Sequence, residues 1–311
     1  MKVVFLGTSQ FACPSLEAIA GRSGHEIALV VTQPDRPAGR GHRLCAPPVK
    51  ELAQLFDLPV CQPDRVNAKD TVARVAATRL DVLVVAAFGQ LLRPPLLSAA
   101  PAGAFNLHGS LLPSLRGAAP VNWAIIRGAS RTGVTTFLLD EGMDTGDVLL
   151  MAQTPIGPDE TAGELEERLA EMGARLVLET LDGLSQGSLT GTPQRHADAT
   201  LAPKLAREDG CIDWERPAET IHNRVRGTNP RPGAYSTLGG ERVKIHRSRR
   251  TGIGRGALRP GTVALGETGR FLVATADELL ELVEVQRPCR HVTSGSECLR
   301  GLRGEQCFTP P

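Results

Sequence analysis

Asp81-Val82-Leu83-Val84-Val85-Ala86-Ala87-Phe88 is a continuous apolar run built around three valines, with no polar alternation after its first position. A strand with one wet face alternates; an unbroken run of this length reads as a strand covered on both sides, the kind found in parallel sheets flanked by helices. The neighbouring sequence agrees. Residues 2–6, 26–32, 104–108, 133–140 and 147–156 also read as strands, and residues 14–20 and 67–78 as helices. Thr161-Ala162-Gly163-Glu164 has the spacing of a capping box and opens an amphipathic pattern that runs to about Leu184. Residues 1–187 are therefore expected to form a three-layer α/β domain of Rossmann-like type.

The chain has 311 residues, 41% of them hydrophobic, which is enough for two packed cores. Residues 188–203 are rich in Gly, Thr, Pro and Gln without any period, and read as a linker. From 204 to 311 short strands separated by glycine turns dominate, at 233–238, 242–246, 261–265, 270–274 and 279–285, after a helix at 218–225. Five short strands predict a small C-terminal β-barrel, of the OB-like type or another small barrel compatible with that strand count.

Composition excludes several classes. No apolar run approaches the roughly 18 residues that a membrane span requires, and the N-terminal run, broken at Gly7, is too short to be expected as a signal peptide. The seven cysteines form no CxxC pair, which fits free thiols in a reducing, cytoplasmic setting. Cys289, His291, Cys298 and Cys307 match no common zinc spacing, so no metal is expected. The net charge of +1 hides an asymmetry: residues 1–202 hold 17 basic and 21 acidic side chains, residues 203–311 hold 18 and 13. Between Arg242 and Arg259 stand Arg242, Lys244, Arg247, Arg249, Arg250, Arg255 and Arg259 with no acid, a stripe suited either to phosphates or to an ordinary solvated surface.

The first strand-to-helix turn, Gly7-Thr8-Ser9-Gln10-Phe11, lacks the second and third glycines of a dinucleotide fingerprint, and no phosphate-loop lysine motif occurs. The informative stretch is Asn106-Leu107-His108-Gly109-Ser110-Leu111-Leu112-Pro113. Asn106 and His108 are two apart, hence on one side of a strand, and that strand ends where ligands bind in open α/β sheets. The pair is either a capping Asn and a structurally bonded His, or an amide donor for an oxygen beside a ring that handles protons. A second strand end carries Glu141-Gly142-Met143-Asp144-Thr145-Gly146-Asp147. Asp144 there either orients His108 or serves only its own turn.

These stretches resemble the methionyl-tRNA formyltransferases over nearly the whole chain. The core likeness is N-x-H-x-S-L-L-P-x-x-x-G, here Asn106 to Gly117, with D-x-G-x-D-T-G-D at Asp140 to Asp147. The resemblance implies catalysis by Asn106, His108 and Asp144. It implies a folate pocket formed by Ser110, Leu111, Leu112 and Pro113 with Phe88, Gly89 and Gln90, and 10-formyltetrahydrofolate as co-substrate. Val31-Thr32-Gln33-Pro34-Asp35-Arg36-Pro37-Ala38-Gly39-Arg40-Gly41 looks like the basic loop with which that family meets the tRNA acceptor end. Residues 202–205, 209–214, 221–227 and 229–235 resemble the start of its C-terminal tRNA-binding barrel. The implied tRNA contacts are Arg36, Arg40, Arg43, Lys204, Arg242, Lys244, Arg247 and Arg249. The partners expected are initiator methionyl-tRNA and a small-molecule folate, with no membrane and the protein a monomer. Departures from the family pattern are Phe88 for a usual Tyr, Ser9 for Pro, His42 and Arg43 where lysines are usual nearby, and Cys289 for Gly.

A formyltransferase acting on a small amine, such as glycinamide ribonucleotide or an amino-sugar nucleotide, would share the three side chains but would not need the Arg36–Arg43 loop. A non-catalytic RNA-binding protein would not need the three side chains. An oxidoreductase lacks its glycine fingerprint.

Overall fold

The apolar run at 82–86 lies in the middle of a seven-stranded sheet and is buried along its whole length. In the structure, a computed structural model, residues 1–21, 24–38, 43–264, 269–300 and 306–309 are described. The chain divides into two compact units, one of residues 1–120, 132–154 and 166–202, the other of residues 121–131, 155–165 and 203–311.

The strands of the first half are β1 (Lys2–Gly7), β2 (Glu26–Val31), β3 (Arg36–Ala38), β4 (Arg43–Cys45), β5 (Val60–Cys61), β6 (Val82–Ala86), β7 (Ala104–His108), β8 (Arg131–Leu138) and β9 (Val148–Pro155). The helices are α1 (Cys13–Gly21), α2 (Pro48–Leu55), α3 (Lys69–Ala77), α4 (Pro94–Leu97), α5 (Pro120–Ile126) and α6 (Ala162–Ser185). The sheet order is β5-β2-β1-β6-β7-β8-β9. From β5 to β7 the pairs are parallel, and β8 joins β7 antiparallel. The chain steps outward from β1 to β2 and β5, then returns to lay β6 on the other side of β1. That reversal opens a crevice at the carboxyl ends of β1 and β6, where ligands of such sheets bind.

Several elements escaped the sequence. The β3–β4 hairpin, β5, α2 and α4 have two to eight residues each, too few for a period to show. The apolar stretch after Gly109 leads into α5, which starts on Pro120, where the missing N–H is no loss. Residues 188–202 belong to the first unit and fold back on it: Thr192 pairs with Val148 in both directions at 2.8 Å, and Leu201 bridges to Arg116.

In the second unit the strands are β10 (Ala234–Leu238), β11 (Glu241–Gly254), β12 (Val263–Ala264), β13 (Leu272–Ala274), β14 (Glu278–Gln286), β15 (Thr293–Ser294) and β16 (Phe308–Thr309), with helices α7 (Ala218–Gly227) and α8 (Gly295–Arg300). The antiparallel order β12-β13-β14-β11-β10-β16 closes on itself: Thr262 bridges to Cys307, and the Val263 and Phe308 amides donate to Gln306 and Gly261 at 2.9 and 2.8 Å. Closure removes the exposed sheet edge, as in an OB-like barrel. Its core gathers Trp214, Ile221, Val225, Val243, Ile245, Phe271, Leu282 and Phe308. Each such side chain contributes roughly 1.5–3 kcal/mol on burial. Strand β11 runs on to Gly254, well beyond the strand end expected at His246.

Candidate active site

Asn106 and His108 share a face of β7, and buried Gly109 follows the strand, where the chain turns away. Asp144 follows β8, the antiparallel neighbour of β7, in a loop that returns toward it. The carboxylate oxygen Oδ2 of Asp144 stands 3.7 Å from Nδ1 of His108. It also accepts a hydrogen bond from the Gly117 amide at 2.7 Å. The other ring nitrogen of His108, Nε2, lies 2.9 Å from the Leu115 carbonyl. A carbonyl only accepts, so Nε2 carries hydrogen, and the ring turns Nδ1 to the Asp144 carboxylate. Phe137 meets the ring edge-on at a centroid distance of 6.4 Å, which limits its rotation. Asn106 is half-buried, and its amide makes no hydrogen bond among the described residues. The amide therefore remains available as a donor for an oxygen placed beside it.

The loop that holds these contacts is over-determined. Leu115 (φ 61°) and Asp144 (φ 55°) both occupy the left-handed region, which favours glycine. Non-glycine residues in that region concentrate at functional sites, where the surroundings hold them against about 1–3 kcal/mol of strain each. At Gly117 (φ 117°) a Cβ would stand 2.8 Å from the Ala202 carbonyl oxygen, so the close approach of the loop to residue 202 requires glycine.

The residues implied for a folate pocket are placed unevenly. Ser110 is fully buried and donates to the Ser114 carbonyl at 2.6 Å, while its own carbonyl accepts from Thr135. Leu112 is buried, and Leu111 and Pro113 are half-buried on the way out of the core. The Phe88 side chain belongs to the core of the first unit, and its carbonyl accepts from Thr8 Oγ1 and Gln33 Nε2, both at 2.9 Å. Gln90 accepts from the Val66 amide at 3.0 Å, which leaves exposed Gly89 at the turn between them. The 88–90 turn thus offers backbone rather than side chains, at the carboxyl end of β6.

The basic residues form two sets. In the first unit Arg36 and Arg43 are exposed on the paired strands β3 and β4, and Arg40 lies outside the described residues. In the second unit Lys204 and Lys244 are exposed. The stripe after Arg242 is less cationic than its sequence suggests. Strand β14 sets Glu278, Glu281 and Glu284 beside it: Arg250 meets Glu278 at 3.0 Å, Arg249 meets Glu281 at 3.7 Å, and Arg247 meets Glu284 at 3.8 Å and Glu164 at 2.5 Å. The Arg242 guanidinium stacks 3.3 Å from the Tyr235 ring centroid. The acids were invisible in the stripe because they come from a partner strand about 30 residues on.

Two polar residues beside the three were not singled out in the sequence. Arg116 and Gln194 are both buried and bond to each other at 2.6 and 3.2 Å. Arg116 stands within the informative motif, but Gln194 lies in the stretch read as linker, and nothing local marks it. Among the described residues no group of three or more His, Cys, Asp or Glu is placed to hold a metal, and no helix is long and apolar enough to cross a membrane.

The chain matches the formyl transferase family over residues 1–181 and the formyl transferase C-terminal domain over residues 204–303. It is 49% identical to a protein of Pelobacter propionicus over 91% of this chain and 88% of that one. It is 46% identical to a protein of Solibacter usitatus over 97% and 96%. Both relatives are named methionyl-tRNA formyltransferase. Among solved structures, WlaRD, a sugar 3N-formyltransferase crystallised with dTDP and 5-N-formyl-THF, superposes with a TM-score of 0.68 at 16% identity, covering 94% of this chain and 99% of that one. HypX from Aquifex aeolicus, solved with tetrahydrofolic acid, superposes with a TM-score of 0.63 at 19% identity, over 96% of this chain and 47% of that one. At these identities the two structures speak to the fold.

Proposed function

The chain belongs to the methionyl-tRNA formyltransferase family, and from that premise we propose that it moves a formyl group from 10-formyltetrahydrofolate to the amino group of methionyl initiator tRNA. The observation that carries the reading is the convergence of Asp144 on His108, 3.7 Å apart, at the end of the strand that also presents the free Asn106 amide.

In this reading the neutral amine attacks the formyl carbon directly. The carbonyl oxygen becomes an oxyanion, and the Asn106 amide donates to it. The amine must lose a proton as its bond to carbon forms. Asp144 and Nδ1 of His108 face each other across a gap that such a proton can bridge, and Nε2 is occupied by Leu115. When the carbon–N10 bond breaks, the proton passes on to N10 and tetrahydrofolate leaves. No covalent intermediate with the protein is required. The Ser110–Pro113 stretch and the 88–90 turn would flank the folate at the carboxyl ends of β6 and β7.

On the tRNA side, Arg36, Arg40, Arg43, Lys204, Lys244 and Arg249 would contact phosphates, with Arg242 and Arg247 as members of the same stripe. The deciding experiment is a transfer assay with 10-formyltetrahydrofolate and three acceptors: methionyl initiator tRNA, free methionine and glycinamide ribonucleotide. Formylation of the charged tRNA alone is expected; preferred formylation of the ribonucleotide would replace this reading with that of a small-amine enzyme.

A further inference from the structure

Gln194 lies in a stretch without secondary structure, yet it is only 7% exposed and both ends of its amide are bonded. Its Nε2 donates to the carbonyls of Asp144 and Gly146, at 3.0 and 2.7 Å. Its Oε1 accepts from Nη2 and Nε of Arg116, at 2.6 and 3.2 Å. Arg116 is 6% exposed and pairs with no carboxylate among the described residues; its other side-chain partner is Nδ1 of His196, at 3.1 Å. The Arg116 amide donates to the Thr200 carbonyl at 2.8 Å, and the Arg116 carbonyl accepts from the Ala202 amide at 2.7 Å.

The neighbours of Arg116 on either side are the two residues whose backbone touches the proposed machinery. The Leu115 carbonyl takes Nε2 of His108, and the Gly117 amide takes the Asp144 carboxylate. One side chain, Gln194, thus joins the loop that orients His108 to the loop that carries Asp144. It grips that second loop at the left-handed residue itself, a backbone state that a non-glycine residue keeps only under restraint.

We propose that Gln194 is a positioning residue for formyl transfer, holding the Asp144 backbone so that its carboxylate meets His108, with Arg116 as its anchor. The proposal rests on the reading of Asn106, His108 and Asp144 as the reacting groups. Gln194 need not touch either substrate. Its removal should change the rate of transfer and leave substrate binding alone, because misplacing a reacting group by an ångström costs on the order of 10²-fold in rate.

The test is a double-mutant cycle in the full chain, with turnover, KM for each substrate and thermal melting measured throughout. Gln194→Ala is expected to lower kcat by about 10²-fold with both KM values within about twofold and the melting transition retained. Gln194→Glu keeps an acceptor for Arg116 but has no N–H for the Asp144 and Gly146 carbonyls, and is expected to lose as much. In an Asp144→Ala background Gln194→Ala should cost nothing further, because it acts through the missing carboxylate. An unchanged kcat in Gln194→Ala, or the same fold-loss in both backgrounds, overturns the proposal. Undiminished turnover in Asp144→Ala alone instead overturns the reading of the site, and is distinguished by that single variant.

Discussion

At the residue scale the site is an exercise in leaving the right atoms free. The Asn106 amide is unengaged among the described residues, whereas its strand neighbour His108 has one nitrogen tied to Leu115 and the other turned to a carboxylate. In the proposed mechanism, replacing Asn106 removes the donor to the oxyanion and replacing His108 removes a partner of the leaving proton. His108→Ala and Asn106→Ala are each expected to fold normally and to lose about 10²–10³-fold in kcat, or roughly 3–4 kcal/mol of barrier. Steady-state formylation of charged tRNA, with a melting curve as control, checks both; near-normal turnover would remove that residue from the mechanism. The pair was legible in the sequence because a two-residue spacing on a strand fixes a common face. Asp144 was legible as a candidate at a strand end, but its approach to His108 depends on β8 pairing with β7 in one register, which only the fold supplies. Gln194 was not legible at all, since its partners lie about 50 and 80 residues away.

At the element scale, the start of α6 shows how a four-residue pattern becomes energy. The Thr161 amide and hydroxyl both donate to Glu164, at 2.9 Å, and the Glu164 amide donates back to Thr161 Oγ1 at 3.3 Å. The Thr161 amide first, and then the Arg247 guanidinium, hold the Glu164 carboxyl down at about 2, from an ordinary 4.5. Thr161→Ala is expected to destabilise the protein by about 1 kcal/mol, measured by urea unfolding. A carboxyl with a lowered folded-state pKa stabilises above its unfolded value and loses that contribution on acidification. The Glu164 contribution is thus full above about pH 4.5 and fades toward pH 2, and Glu164→Gln should flatten the stability profile in that window. The continuous apolar runs of β1 and β6 and the 24-residue amphipathic α6 showed in the sequence. The β3–β4 hairpin, β5 and α4 did not, because two to four residues carry no period and tertiary contacts decide them. Strand β11 outran its expected end because its later half, from Arg247 on, is held by pairing with β14 rather than by its own apolar pattern.

At the scale of the whole molecule, charge must be counted after pairing. By sequence the second half is the basic one, but Arg247, Arg249 and Arg250 each face a glutamate on β14, whereas exposed Lys244 makes no ion pair among the described residues. Counterion release follows cations that are free to meet phosphate. Lys244→Ala is therefore expected to make the salt dependence of tRNA binding shallower by about one unit of slope. Arg247→Ala should change it less, since its charge is already matched by Glu164 and Glu284. Titrating tRNA at a series of salt concentrations decides the matter, and equal slopes for Lys244→Ala and the unaltered protein would take Lys244 off the tRNA path.

The barrel seam carries a consequence for synthesis. Its closing strand contains Phe308, whose ring packs against Phe271 and Trp214, yet Trp214 is translated about 90 residues earlier. At about 5–20 residues per second a ribosome needs on the order of 5–20 s to travel from residue 203 to the seam. For that interval the nascent chain can complete its parallel sheet but not its barrel. Until then Trp214 and Phe271 lack the ring that packs on them, and the open barrel offers apolar surface to the chaperones that meet emerging polypeptide.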